Sequence, residues 1–204
     1  QKEFRLSDVV EGINLQMLLY LISIWLNGST RYGSAEPAGM LYLPAKLPVI
    51  RVDRHTDDSQ MDKAKIRVMR MNGLLLDNPE IVKAMEKDGA GLFIPARLQT
   101  VTNENGEKED VLAASSSVAS IKQFGQLKKR MERLLTQMAE TLASGDIAAV
   151  PAVSQYLDAC QYCDYRAVCG HEQDDPVRRM MNLDTEAILK ELQTADDEKA
   201  KEPD

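Results

Sequence analysis

The sequence contains no P-loop, no glycine-rich dinucleotide fingerprint and no internal repeat, which sets aside the familiar nucleotide cradles and the repeat folds. It also lacks any uninterrupted apolar run of the roughly 20 residues that a membrane span needs. Aromatic residues are scarce, at 5%, so a core must be built from aliphatic side chains and ten adaptable methionines. The three cysteines cannot all pair within the chain, and no secretory signal precedes them, which points to a reducing, cytoplasmic setting. Positive charge is in deficit, 25 Lys and Arg against 32 Asp and Glu, giving a net charge of −7. This excludes a surface that is basic all over but leaves room for a local basic groove. An initiator methionine is lacking too: the chain opens at Gln1, and we read it as a piece of a longer protein. What is present, 204 residues with 44% hydrophobic and 28% charged, suits one globular domain with a small appendage.

The first strong segment runs from about Asp8 to Leu26 and is expected to be one buried helix. Gly12, Gln16, Tyr20, Ser23 and Asn27 recur in steps of three and four, so a narrow polar stripe should lie along its greasy surface. Gly39 to Lys46 and Pro48 to Asp53 read as short strands, His55 to Asp62 as a polar loop. Lys65 to Met71 alternates charged and apolar residues as a half-exposed strand does. Asn78-Pro79 should open a short helix ending near Lys87. Leu92 to Val101 and Asp110 to Ala113 flank a hairpin turn at Asn105-Gly106. The longest helix is expected from Ser120 to Ser144, with Ser120 and Gln123 as a capping box and Gly145 as terminator. Its apolar face comprises Ile121, Phe124, Leu127, Met131, Leu134, Met138 and Leu142. Lys122, Lys128, Lys129, Arg130 and Arg133 decorate the rest, first as a solvated face and second as a phosphate-contacting strip. From Asp184 to Asp204 an acidic, loosely attached helix should fray into a tail.

The sharpest chemical signal is Cys160-Gln-Tyr-Cys163-Asp-Tyr-Arg-Ala-Val-Cys169. Two cysteines separated by two residues can turn both thiolates toward one metal centre, and a third so close adds another ligand. Iron–sulfur clusters and zinc both use such sets, and His171 makes a Cys3His zinc site a competitor. Three buried, chemically idle thiols are the bland reading. His55 with Asp53, Asp57 and Asp58 could suggest a second metal cluster, although a solvated loop explains them better. Asp77, at the entry to the Asn78-Pro79 helix, fits a structural role. No Ser/His/Asp arrangement or nucleophilic Cys/His pair stands out.

The cysteine run, preceded by a long helix and then Gly145-Asp146-Ile147 and Pro151, resembles the end of a RecB-family nuclease domain. Gly12-Ile-Asn-Leu-Gln16-Met-Leu-Leu-Tyr20 looks like that family's Q-x-x-x-Y helix, which follows the strand bearing a D-Y-K-type catalytic motif. Gly39-Met-Leu-Tyr42 and Met71-Asn-Gly-Leu-Leu-Leu-Asp77 resemble one subgroup, the AddB subunits of bacterial ATP-dependent helicase–nucleases. The resemblance covers about Phe4 to Cys169.

This resemblance implies an α/β, restriction-endonuclease-like (PD-(D/E)xK) fold, truncated on its N-terminal side. Residues 1–170 would be the back part of the nuclease domain, including the cysteine region, and residues 171–204 an acidic C-terminal helix or tail. It implies a [4Fe-4S] cluster held by Cys160, Cys163, Cys169 and one cysteine upstream of this chain. It further implies Mg²⁺ held by carboxylates that, with the catalytic lysine, precede Gln1. Gln16 and Tyr20 would then support catalysis by orienting DNA phosphate or groups around the metal. The implied activity is Mg²⁺-dependent cutting of DNA during double-strand-break repair by recombination. The implied partners are DNA and an AddA-like helicase–nuclease subunit in a heterodimer, with ATP used elsewhere in the complex and no membrane. This chain by itself should be inactive. Two other readings stand beside it: a stand-alone RecB-like exonuclease, and a non-catalytic zinc-stabilised DNA-binding or scaffold module using Cys160, Cys163, Cys169 and His171.

Overall fold

The computed structural model describes residues 4–46, 49–103 and 105–199. In chain order these residues form α1 (Leu6–Val10), α2 (Gln16–Asn27), α3 (Ser29–Tyr32), β1 (Gly39–Tyr42), α4 (Asp58–Met69), β2 (Asn72–Leu76) and α5 (Pro79–Met85). There follow β3 (Leu98–Thr102), β4 (Lys108–Leu112), β5 (Val118–Ala119), α6 (Ile121–Ser144), β6 (Ala152–Val153), α7 (Arg166–Cys169), β7 (Arg178–Arg179) and α8 (Thr185–Lys199). The class is mixed α/β with small sheets. The chain divides into two compact units, one of residues 1–5 and 16–125, the other of residues 6–15 and 126–204.

The first unit is organised by a three-stranded sheet of order β1-β2-β5, antiparallel between β1 and β2 and parallel between β2 and β5. The central strand β2 is almost wholly apolar, and Leu74 and Leu75 are fully buried. Leu75, Val82, Ile94 and Ala96 form one core, with Leu41, Leu98 and Val118 packed against it. Asn78 caps α5 by accepting the Glu80 amide, and Pro79 takes the first-turn position, where its missing N–H costs nothing. The β3–β4 hairpin runs in register from Leu98↔Leu112 to Thr102↔Lys108, turning at Asn105-Gly106 as the sequence implies. Beside it the Thr100 hydroxyl donates to Asp110 at 2.8 Å, and Lys83 lies 3.1 Å from the other carboxylate oxygen. Those two contacts hold the Asp110 carboxyl below the usual carboxylate range.

Several expectations are corrected. The apolar segment from Asp8 to Leu26 is two helices, because Gly12 and Asn14 take positive φ of 86° and 58° and break the ladder between them. Nor is α2 fully buried: Leu18 and Ile22 are inside, whereas Leu19, Ile24 and Leu26 are exposed. Pro48 lies outside the described residues, and Val49 to Asp53 form no strand, with Val49 90% exposed. Lys65 to Met69 are not a strand but the end of α4, whose start lies within the expected loop at Asp58. Asp57 nucleates α4 by accepting the Gln60 amide at 2.7 Å, and Met61, Ala64 and Val68 then fall at helical spacing as partly buried positions.

In the second unit the N-terminal part of α6 supplies the buried Leu127, Met131 and Leu134. The helix begins with the expected capping box: the Ser120 amide donates to Gln123 Oε1 at 2.7 Å and the Gln123 amide to Ser120 Oγ at 3.3 Å. Further along, Met138 and Leu142 are exposed, so the apolar stripe outlasts its packing. The acidic helix α8 is not loosely attached, since Ile188, Leu189 and Leu192 are buried and α8 packs on α1. Residues 200–204 lie outside the described part. Among the described residues, no helix is long and apolar enough to cross a membrane.

Candidate functional site

Helix α2 places Gln16 and Tyr20 one turn apart, and the Gln16 Nε2 donates to the Tyr20 hydroxyl at 2.8 Å. The spacing produces the contact: residues four apart stand on one helical face, while Leu18 and Ile22 turn the opposite way into the fold along β1. Tyr20 is 52% exposed, and Ser23 and Asn27 continue the polar stripe at exposed positions. Gly12 does not belong to that stripe, being in the turn before α2. Because the tyrosine oxygen already accepts from Gln16, its own proton is left to donate outward. The amide keeps its carbonyl oxygen as an acceptor and a second N–H as a donor. This pair can orient a phosphate oxygen or a water. It cannot form the hard, anionic oxygen cage that a divalent cation takes.

The acidic residues do not supply that cage either. Among the described residues, no group of three or more His, Cys, Asp or Glu side chains is placed to hold a metal ion. Asp53 and Asp57 instead accept backbone amides, those of His55 and Gln60, so the suspected cluster around His55 resolves into local turns. The described carboxylates therefore do not fit a bound Mg²⁺.

The cysteines sit in a string of short turns. Asp158 accepts the Cys160 amide at 2.8 Å, the Cys163 amide reaches the Cys160 carbonyl, and the Cys169 amide bonds to Tyr165 within α7. Gly170 then ends α7 in the left-handed conformation. All three thiols are free, Cys160 partly exposed and the other two exposed. Tyr162 and Val168 beside them are more than 80% exposed. In donor type the set suits a thiophilic centre, but the three are not gathered into one group. His171 is not gathered with them, and its Nε2 faces the Pro176 carbonyl at 3.4 Å.

The basic strip on α6 is only partly the solvated face that its charges suggest. Lys122 is exposed and Lys128 pairs with Glu132 at 3.8 Å. Arg130, however, is partly buried and donates through Nε to the Val10 carbonyl at 3.0 Å, closing the C-terminal end of α1. Sequence reasoning missed this tie, and also the reach of Arg178 to the Glu11 carbonyl at 2.8 Å.

A family model described as the PD-(D/E)XK nuclease superfamily matches residues 1–170. Among curated proteins, the chain is 35% identical over 171 residues to an ATP-dependent helicase/deoxyribonuclease subunit from Clostridium novyi (strain NT), covering 82% of this chain and 14% of that protein. The protein of the same name from Clostridium botulinum (strain Loch Maree / Type A3) is 33% identical over 176 residues, 85% of this chain and 15% of its own length. The one from Acetivibrio thermocellus is 30% identical over 171 residues, 82% of this chain and 14% of its own. The chain thus spans about one seventh of the length of these curated relatives.

Proposed function

Because the chain belongs to the PD-(D/E)XK nuclease superfamily, we propose that it is part of the nuclease domain of an AddB-type helicase–nuclease subunit. In this reading the parent protein processes DNA double-strand ends for recombinational repair by Mg²⁺-dependent phosphodiester hydrolysis, in the cytoplasm. Its partners are DNA and an AddA-like subunit, and ATP is used elsewhere in the complex. The small share of each relative that the chain covers favours a component of a large machine over a stand-alone exonuclease. The family match likewise favours a nuclease over a zinc-stabilised scaffold.

The observation that carries the reading at the level of side chains is the hydrogen-bonded Gln16–Tyr20 pair on the outer face of α2. A folded core gains little from such a pair, whereas a phosphate held beside a metal centre gains orientation. Gln16→Ala in the full-length parent is therefore expected to lower nuclease activity roughly 10- to 100-fold. The same change should cost under about 0.5 kcal/mol of stability, as exposed substitutions do. Nuclease assays and thermal melts on one preparation decide the matter. Activity that falls only in step with the melting temperature would make Gln16 a packing residue.

The cysteine region in this reading holds an iron–sulfur cluster through Cys160, Cys163 and Cys169, with a fourth thiolate from the longer parent. Such a cluster would cross-link the turns of this lobe and fix its place in the parent domain. Full-length parent purified without oxygen should be brown and contain iron with acid-labile sulfide, and Cys163→Ser should bleach it. Colourless protein with one zinc per chain would sink the assignment and bring His171 in as the fourth ligand.

A further inference from the structure

A cleft of about 180 Å³ opens within the second unit, between the end of α1, the middle of α6 and the start of α8. Val10, Met181 and Ile188 give it an apolar lining, Arg130 and Arg133 stand on one side and Glu191 on the other. We propose that this cleft is an anchor site for a partner protein, taking one large apolar side chain from a segment that carries a carboxylate next to it.

Size argues for a single side chain. Pockets for cofactors and drug-sized ligands run to roughly 300–1,000 Å³. A cavity of roughly 150 Å³ already accommodates a benzene ring. Charge argues for the carboxylate. Arg130 and Arg133 each use Nε on a main-chain carbonyl, of Val10 and of Lys129. Neither guanidinium has a carboxylate within ion-pair distance among the described residues. Two partly buried guanidiniums with outer N–H groups in hand are the arrangement that reads a carboxylate in forked geometry. The opposite wall favours protein over nucleic acid. Glu191 and the acidic start of α8, Asp184 and Glu186, would repel a run of phosphates but tolerate an isolated acidic side chain. Buried aromatic or aliphatic anchors with an adjacent arginine contact are where protein interfaces concentrate their energy.

The test uses the isotopically labelled 204-residue chain and the peptide Gly-Ser-Asp-Phe-Gly-Ser-Gly, titrated while amide shifts are followed by NMR. Shifts should saturate at the end of α1 and at residues 188–192 of α8. Exchanging the peptide's Phe for Ala, or its Asp for Lys, should each weaken binding by about tenfold or more. Arg133→Gln should weaken the Asp peptide by roughly tenfold and leave a matching Asn peptide unchanged. Met181→Ala, at a half-exposed position, should weaken only peptides that carry Phe. An oligothymidylate moving the same resonances at lower concentration, with loss on Arg133→Gln, would overturn the proposal and make the cleft a phosphate site. Binding indifferent to Phe, to Asp or to Arg133 would overturn it as well. Because the readout needs no nuclease activity, its failure is separable from failure of the nuclease reading.

Discussion

Replacing Gly73 by alanine is expected to destabilise the first unit by about 3–5 kcal/mol, enough to abolish its sheet. Gly73 pairs with Leu41 across the antiparallel β1–β2 ladder and holds φ at +153°. A methyl group added there is driven into the carbonyl oxygen of Met40, on the facing strand. Backbone cannot move aside as a flexible side chain can, so relief requires the strands to part. Parting them exposes Leu74 and Leu75, the two fully buried residues of the central strand. Gly39 is constrained in the same way from the other side, facing the Leu74 carbonyl at φ +137°. Gly125→Ala is the matched control: it lies in α6 with nothing near its added methyl. There alanine should stabilise by about 0.5–1 kcal/mol, through the lower entropy of the unfolded chain and better helix propensity. Denaturation midpoints, with amide exchange at Leu74 to Leu76, measure both. If Gly73→Ala keeps those amides protected, the close approach of β1 and β2 is not what demands glycine.

How much of this is legible in the sequence follows from the range of the interactions involved. The capping box at Ser120 and Gln123, the Asn78-Pro79 start of α5 and the Asn105-Gly106 turn all lie within three or four residues. Each one is written in adjacent letters and is found where expected. The Gln16–Tyr20 contact is legible for the same reason, being one helical turn. Helix α4 escapes a sequence reading because Lys65 to Met71 fits a two-residue period over a short window. Its decisive signal, the Asp57 cap, lies eight residues earlier in a stretch that is polar for another reason. The break before α2 is hidden by apolar residues on both sides of Gly12 and Asn14, because hydrophobicity does not report φ. Nothing local announces the Arg130–Val10 or Arg178–Glu11 bonds, which join residues more than a hundred positions apart. The cleft beside them is therefore invisible in the sequence, although every residue lining it is in plain view. The cysteine spacing reveals the donor type, while the positions of the thiols depend on how the turns of residues 158–170 fold.

The 204-residue chain on its own is expected to show no DNA hydrolysis, a loss set by the absence of a complete constellation and not by a weakened one. Phosphodiester cleavage of this kind needs a carboxylate-held divalent cation, a positioned water and a nearby cation to stabilise developing charge. The chain carries 32 acidic residues. Among those described, none stands with two others in a metal-holding group. Several are already committed, Asp57 to a helix cap, Asp158 to the Cys160 amide and Asp110 to Thr100 and Lys83. Recruiting them would cost the local bonds they make. Gln16 and Tyr20 offer hydrogen bonds to a phosphate but no anionic oxygen for a metal. Supplying Mg²⁺ or Mn²⁺ in excess should therefore not rescue turnover, whereas weak and salt-sensitive DNA binding through Lys122 and its neighbours on α6 is compatible with inactivity. The assay is release of nucleotides from linear single- and double-stranded DNA by rigorously purified chain, with each metal. Turnover that follows the protein through purification and vanishes on substituting one of its own carboxylates, Asp77→Asn for instance, would show that the active site lies within residues 1–204. The roles assigned to Gln16 and Tyr20 would then have to be rebuilt around that carboxylate.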